Sequence, residues 1–599
     1  AASAAAGRFN ARRNFRIIPG FAASMTAAKI RGLARSAGVF RVEEDFEVSI
    51  NLEAANRDFG TGAARVDHGV DGSGVGICII DTGADPAHEQ LDGGKIAGFQ
   101  DYVNGLTTPY DDHGHGTHVA SIATGDGTGG PDAATFRGVA PGASVHSAKT
   151  LDATGFGDES DSIAAIDWCT MQAGVRIISM SLSSSIPSDG SDALSLAVDA
   201  AFDAGFAVVV AAGNGGGAPG TVGSPGVANK AITIGAAAEW SAAPGAAWHS
   251  NGVHVAAFSG RGPTLDARIK PDVVAPGVSI RAAEAGTTGG YVIFSGTSMA
   301  TPFVSGTLAL ALEAEPGLTP LHLRNIIAAT AHDRDDPGKD NEWGAGLLDG
   351  YLAVSHAAAD LAALPTDFPA HFRVSGSVPD LGLWSHPFNL TAAQMGTPVS
   401  AMITLDGAAV CVVEIFGICL LEGWVPDLDA RLLDPNSTEL VFSGCADGSE
   451  DCGALGRQET ASAMPTVPGT YTLELEPYVG AFSEGTGGTF TVDFSVGPAG
   501  DDSASLPPDS DSDGVPDLYE TNTGTFAFAV DTGTDPASAD TDDDGVDDGD
   551  EVAAGTNPNV AGPGTGVPAL SAPGISIFLS MLLLIGWGRR RSRPAPSAR

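Results

Sequence analysis

At 599 residues, 43% of them hydrophobic, the chain is too long for a single core and has apolar material for three to five globular units. Its formal charge of −43 argues against nucleic acid as a partner, because a phosphate backbone would be repelled rather than neutralised. The acidity is uneven: residues 501–551 hold 17 carboxylates and no Lys or Arg.

In chain order, residues 1–51 carry mostly Arg among their charges and read as a small α+β unit. The expected elements are a strand from Phe15 to Ile18, a turn at Pro19-Gly20, a helix from Thr26 to Ala37 and a strand from Val39 to Val42. The sequence opens at Ala1 without a charged or apolar leader, as expected after signal-peptide removal or in a fragment. Residues 52–360 alternate apolar runs with helical segments. Val75–Ile80, Val175–Met180, Ala207–Ala212 and Ala231–Gly235 read as strands buried on both faces, and Ser162–Ala173, Asp192–Ala204 and Thr301–Glu313 as helices. That alternation predicts an α/β domain with a parallel sheet covered by helices. Residues 366–498 switch to short alternating strands, Thr470–Glu476 and Thr489–Val496 among them, and predict a β-sandwich. An acidic segment follows over 499–560, then a tail over 561–599 with an apolar stretch, Ile575–Trp587, before Arg589, Arg590, Arg591 and Arg593.

The six cysteines divide into two sets. Cys78 and Cys169 lie in apolar surroundings and read as buried thiols. Cys411, Cys419, Cys445 and Cys452 read as two local disulfides whose pairing the spacing leaves open, and they place that domain outside the cytoplasm.

Three segments of the alternating domain carry chemistry. Asp81 ends a buried strand, His115 opens a helix, and Ser298 sits at a loop-to-helix transition; in open parallel sheets such positions converge at the carboxyl ends of the strands. A serine hydroxyl needs an imidazole to take its proton, and the imidazole needs a buried carboxylate to hold its tautomer. An oxyanion then needs donors set in advance, and Asn214, after the strand Ala207–Ala212, supplies one beside the Ser298 N–H. Gly72-Ser73-Gly74-Val75-Gly76 imitates a dinucleotide loop but precedes its strand, so it reads as a turn.

Asp81-Thr82-Gly83, His115-Gly116-Thr117-His118, Ala212-Gly213-Asn214 and Gly296-Thr297-Ser298-Met299-Ala300-Thr301-Pro302 together resemble the four signatures of the subtilisin family, in the family's Asp, His, Ser order. The resemblance spans roughly residues 15–355. It implies a subtilisin-like serine endopeptidase with Asp81 orienting, His115 as base, Ser298 as nucleophile and Asn214 as oxyanion donor. It further implies that Ser181, Leu182 and Ser183 bind the substrate backbone, that Gly213 contributes to substrate binding, and that Gly223-Ser224-Pro225 lines the specificity pocket, where glycine leaves room for a large apolar side chain. Ile18-Pro19-Gly20-Phe21-Ala22 and Val42-Glu43-Glu44-Asp45 resemble an inhibitory prodomain, which implies self-cleavage near Ile50 to Ala54. The family's calcium-binding Asp after the catalytic Asp is replaced by Gln90, which speaks against that site.

Two acidic stretches match a twelve-position calcium loop with glycine at the sixth position. Their ligands are Asp509, Asp511, Asp513, Asp517 and Glu520, then Asp540, Asp542, Asp544, Asp548 and Glu551. They resemble the thrombospondin-type calcium repeats of bacterial surface proteins, so Ca2+ is the expected ion, and the chemistry itself needs no cofactor. The tail resembles a bacterial carboxy-terminal sorting signal, which implies a sorting protease and at least transient residence in the inner membrane. The expected partners are therefore protein or peptide substrates, the chain's own prodomain and that sorting protease, at the cell envelope or outside the cell. The alternative is a calcium-dependent surface-binding protein with an inactive protease core.

Overall fold

The computed structural model describes residues 11–14, 21–23, 52–359 (apart from 185–187, 239–251 and 336) and 368–498 (apart from 396, 416–417, 444–456 and 481–482). Further on it describes 510–560, apart from 514, 516–518, 521, 527–531, 543 and 555. The chain divides into two compact units, Ala1–Leu506 and Pro507–Arg599.

The first unit opens with β1 (Ala11–Asn14) paired antiparallel to β2 (Phe21–Ala23). The strand, helix and strand expected at Phe15–Ile18, Thr26–Ala37 and Val39–Val42 lie outside the described residues. Two short helices follow, α1 (Leu52–Asp58) and α2 (Thr61–Asp67). The turn before the first sheet strand closes on the chain's own carboxylate: Glu313 Oε2 accepts from the backbone N–H groups of Asp71, Gly72 and Ser73. The Gly72 segment is thus a turn, as its position before the strand predicts.

The sheet comprises β3 (Gly76–Asp81), β4 (Ile96–Asp101), β5 (Ser144–Lys149), β6 (Val175–Met180), β7 (Ala207–Ala211), β8 (Ile232–Ala237) and β9 (Val273–Pro276), with α3 (His115–Thr124), α4 (Glu159–Thr170) and α5 (Ala193–Asp203) among its connections. Its seven strands are all parallel, in the order β4-β5-β3-β6-β7-β8-β9. Every residue of β3, β7 and β8 is buried, which is why these strands read as unbroken apolar runs. From β3 the chain runs first to β4 and β5 on one side, then to β6 and beyond on the other. The carboxyl ends of β3 and β6 therefore flank the point where the winding reverses, where open sheets of this kind gather their ligands.

A hairpin of β10 (Ile280–Ala283) and β11 (Tyr291–Phe294) leads into α6 (Thr297–Ala314). This helix starts four residues before the expected Thr301 and is buried almost all round, as an apolar helix without a polar face must be. α7 (Pro320–Ala329) and α8 (Gly350–Ala357) complete the α/β part.

Residues 369–498 form two four-stranded antiparallel sheets. Their strands are β12 (Pro369–Val378), β13 (Trp384–Leu390), β14 (Val399–Leu405), a hairpin of β15 (Ala408–Ile415) with β16 (Ile418–Val425), β17 (Leu428–Leu433), β18 (Glu439–Ser443), β19 (Gln458–Ala463), β20 (Gly469–Pro477), a small ladder of β21 (Val479–Gly480) with β22 (Ser483–Glu484), and β23 (Gly488–Pro498). One sheet runs β12-β23-β14-β19 and the other β13-β20-β17-β18. Ile403, Phe490 and Phe494 from the first meet Phe388, Leu432 and Tyr471 from the second in a common core. In the second unit, α9 (Asp548–Ala554) is the helix among the described residues.

The sulfurs of Cys78 and Cys169 correct the sequence reading. They are not free thiols but a disulfide joining β3 to α4, with the Cα atoms 5.8 Å apart. α4 packs directly on β3, and the two cysteines share one buried core with Ile80 and Ile178. Cys411 is also disulfide-bonded; Cys445 and Cys452 lie outside the described residues. Closing a loop across a separation of 91 residues restricts the unfolded chain by about 4–5 kcal/mol in the chain-entropy account. Paired Cys78→Ala and Cys169→Ala substitution is therefore expected to lower the melting temperature by several degrees in calorimetry, an effect that a surface substitution such as Leu321→Ala would not reproduce.

Candidate active site

Asp81 is the last residue of β3, and its carboxylate is 1% exposed. Removing a charge from water is costly unless strong partners surround it. Here the backbone N–H of Thr82 donates to Oδ1 at 2.7 Å, and His115 Nδ1 lies 2.8 Å from Oδ1 and 3.0 Å from Oδ2. A carboxylate only accepts, so the proton sits on Nδ1 and the lone pair is left on Nε2. Burial disfavours the imidazolium, but the Asp81 charge outweighs it, and the pKa of His115 rises above the ordinary imidazole value.

The approach of the two segments has a steric cause. A Cβ on Gly116 would lie 2.1 Å from the carbonyl oxygen of Gly83, so the backbone after His115 rests directly on the backbone after Asp81. Thr82 Oγ1 accepts from Gly116 N–H at 2.8 Å and itself donates to Asp111 Oδ1 at 2.9 Å. Asp111 also accepts from the backbone N–H groups of His113, Gly114 and Thr117 and from the Thr117 hydroxyl. Burial pushes the Asp111 carboxyl up, but these donors prevail and hold it below the ordinary range. Lys149, fully buried at the end of β5, donates to Thr82 O at 2.7 Å, Leu151 O at 2.8 Å and Asp112 Oδ1 at 2.6 Å. Sequence reasoning missed Asp111 and Lys149, the latter because the polar residues of β5 hide that segment as a strand.

His118 is fully buried and sits within 3.1 Å of the carbonyl oxygens of Ile280 and Val292, so its Nε2 is the donor. Burial, reinforced by His115, lowers its pKa to about 3 and keeps it neutral. It ties α3 to the β10–β11 hairpin, and His113 lines the groove beside His115.

Ser298 is the second residue of α6, in the turn whose N–H groups have no partner inside the helix. Its hydroxyl donates to Ser181 O at 3.2 Å, while Ser181 Oγ donates to Ser298 O at 2.8 Å. Among the described residues no hydrogen bond joins Ser298 Oγ to His115 Nε2. Asn214 Oδ1 accepts from both the N–H and the hydroxyl of Thr297, each at 3.0 Å. With its oxygen spent, the amide keeps Nδ2 as a free donor among the described residues, and a Cβ on Gly296 would lie 3.2 Å from that Nδ2 and 3.6 Å from the Ser298 nitrogen, so the two lie near one point.

Ser181, Leu182 and Ser183 follow β6 and line an open groove of about 1050 Å³ that also takes in His115, Phe156 and Leu265. Gly213 and Gly223 stand where the chain packs too closely for any side chain. A Cβ on Gly223 would lie 2.0 Å from Ser184 O and 2.5 Å from Ser183 Oγ, and one on Gly213 would lie 2.8 Å from the same hydroxyl. Ser184 N–H donates to Ser224 O at 2.7 Å, so the two walls are in contact. Gln90, standing where the family has a calcium ligand, is buried and spends its amide on Ala133 O, Tyr291 Oη and the Gly127 N–H.

In the second unit the acidic loops converge as two triplets, Asp511 with Asp513 and Glu520, and Asp540 with Asp542 and Asp544. Asp509 and Asp517 lie outside the described residues. Asp548 accepts from the N–H and hydroxyl of Thr541. Glu520 Oε2, Asp542 Oδ2 and Glu551 Oε2 are buried without hydrogen-bond partners. Burial and like-charge crowding push the carboxyls up, Glu520 to about 8 and Asp513 and Glu551 to about 6. Buried, crowded, unpartnered carboxylate oxygens fit a hard dication such as Ca2+.

The Subtilase family model matches residues 72–346. Serine protease AprX of Bacillus subtilis (strain 168) is 37% identical over 306 residues, which are 47% of this chain and 66%, just under two thirds, of that relative. Subtilisin DY of Bacillus licheniformis is 37% identical over 283 residues, covering 47% of this chain and 90% of that protein. Among solved structures, sphericase matches at 32% identity with a TM-score of 0.40, over 48% of this chain and 96% of its own. A chain that aligns with nine tenths of a subtilisin at this identity, and that pairs a buried Asp81 with His115, belongs to the subtilase family and carries a subtilisin-type serine endopeptidase domain.

Proposed function

We propose that the protein as a whole is an exported, self-maturing endopeptidase in which Asp81, His115 and Ser298 act as a triad with Asn214 as oxyanion donor. The observation that carries this is the buried Asp81 carboxylate locked onto His115 Nδ1, which leaves a basic Nε2 facing the groove. Ser298 Oγ attacks the peptide carbonyl carbon and its proton passes to Nε2. The Asp81 carboxylate stabilises the imidazolium that results. Negative charge gathers on the former carbonyl oxygen, against Asn214 Nδ2 and the Ser298 N–H. The C–N bond breaks as Nε2 returns the proton to the leaving amine, and water then releases the acyl group by the same route. The Ser298–His115 hydrogen bond forms in the substrate complex, where such contacts tighten.

Export is supported by the buried Cys78–Cys169 bridge, since structural disulfides persist in oxidising compartments. Residues 1–51 are proposed as the inhibitory segment, cut near Ile50 to Ala54 at the start of α1. The tail over 561–599 lies outside the described residues, and its apolar stretch and Arg cluster support a sorting role in the inner membrane. Among the described residues no helix is long and apolar enough to cross a membrane. Ca2+ would be held by the carboxylates of Asp511, Asp513 and Glu520 and of Asp540, Asp542 and Asp544, neutralising charge that otherwise repels.

Expressed with calcium, the wild type is expected to shed about its first 50 residues and hydrolyse casein, while Ser298→Ala does neither. In the matured enzyme kcat/KM is expected to fall as pH drops through a value above the ordinary imidazole pKa, because His115 is protonated there. An acid limb below pH 6 would contradict the Asp81 assignment.

For the calcium segment the sign is opposite to that of an ordinary salt-bridged acid. Carboxyls raised in the folded state bind more protons there than when unfolded, so the metal-free segment loses stability as pH rises from about 4 to about 8. Calorimetry in EDTA should show that decline and added Ca2+ should remove it; a calcium-indifferent transition would rule the sites out.

A further inference from the structure

The loop from Gly213 to Gly223 carries Asn214, yet six of its eleven residues are glycine, and such a segment has little stiffness of its own. On one side it is held within the α/β part by segment 256–262. Gly260 N–H donates to Gly213 O, Gly216 N–H to Phe258 O, Gly220 N–H to Gly262 O and Thr221 N–H to Arg261 O, all within 3.0 Å. At the tip the support comes from the sandwich. Arg457 Nη1 donates to Gly217 O at 2.6 Å and to Glu342 Oε1 at 2.7 Å. Glu342 Oε2 lies 2.6 Å from Nε of Arg261, whose side chain is fully buried and whose Nη2 donates to Gln458 Oε1 at 2.7 Å. Gln458, the first residue of edge strand β19, returns a bond from Nε2 to Val255 O at 2.8 Å.

We infer that Arg457 is a positioning residue for catalysis: through Gly217 and the Glu342–Arg261 pair, the sandwich holds the Asn214 loop in its oxyanion-binding geometry. The argument rests on how the charges are shared. Both oxygens of Glu342 are taken by guanidinium groups, one from each side of the junction. Charge-assisted bonds among side chains that are mostly buried are strong and directional. Truncating Arg457 leaves the Gly217 carbonyl without this donor and Glu342 with one cation instead of two. The glycine-rich tip then regains freedom four residues or fewer from the Asn214 amide. A donor displaced by even a fraction of an ångström loses transition-state stabilisation while ground-state binding is largely kept. The sandwich is accordingly part of the catalytic machinery's support rather than only an appended module. This rests on the oxyanion role proposed for Asn214.

The test is a double-mutant cycle in the matured protein, sandwich included, with a peptide amide substrate. Asn214→Ala alone is expected to lower kcat by about 10²–10³. Arg457→Ala is expected to lower kcat about tenfold with KM within twofold, and Arg457→Lys to recover part of the loss, since Lys restores a donor to Gly217 O but not the fork. In the Asn214→Ala background Arg457→Ala should cost less than twofold further, because its effect has already been removed. Far-ultraviolet circular dichroism of each variant establishes that it is folded. Full kcat in folded Arg457→Ala, or losses that simply multiply in the double variant, would overturn the inference. Wild-type kcat in Asn214→Ala would overturn the oxyanion assignment, and the inference with it.

Discussion

The structure turns on one carboxylate held almost out of water at the end of the central strand. Asp81 is tolerated there because the Thr82 amide and the His115 imidazole both donate to it. Losing either partner would leave a buried charge uncompensated, at a cost of several kcal/mol. The rest of the site follows from that constraint. Gly116 must lack a side chain for the two segments to touch, Gly83 must lack one to pass the carbonyl of Tyr110, and Asp111 must gather the loop before α3 so that His115 arrives at the right height. The same pairing fixes the tautomer on which any proton transfer from Ser298 depends.

A second layer holds the electrophilic side of the groove. Thr297 fixes the Asn214 oxygen, and Ser298 is set in the first turn of a helix buried on nearly all faces, so its N–H cannot wander. The loop bearing Asn214 is soft by composition and gains its rigidity from outside, through segment 256–262 and the charged junction with β19. Polar junctions of this kind specify a single docking geometry, because a slipped register would strand Arg261 or Glu342 without a partner. Elsewhere along the same junction, Arg334 donates to Pro369 O at 2.9 Å and Arg373 meets Asp335 at 2.9 Å. The α/β part and the sandwich therefore meet through charge as well as through Phe368, stacked 3.7 Å from His332.

Much of this is legible in the sequence, for reasons that differ residue by residue. Asp81, His115, Ser298 and Asn214 stand out because their chemistry tolerates few substitutes and each lies at the edge of an element whose period is plain. Strands β3, β6, β7 and β8 are legible because burial on both faces leaves mostly apolar residues, Arg176 and Ser179 in β6 and Thr233 in β8 being exceptions. β5 is not, because His146, Ser147 and Lys149 break its pattern, and Lys149 is stable there only through three acceptors supplied by distant segments. The bond between Cys78 and Cys169 is invisible locally, since two apolar neighbourhoods 91 residues apart say nothing about meeting. The contact of Ser184 with Ser224 and the reach of Arg457 to Gly217 are likewise properties of the folded chain alone.

The central claim is that a basic His115 Nε2, created by Asp81, activates Ser298. A fluorophosphonate that phosphonylates activated serines tests it directly, with the adduct located by peptide mass mapping. The account predicts one adduct on the matured wild type, at Ser298, and a loss of labelling rate of at least a hundredfold in His115→Ala. Labelling at another serine, or an undiminished rate without the imidazole, would contradict it.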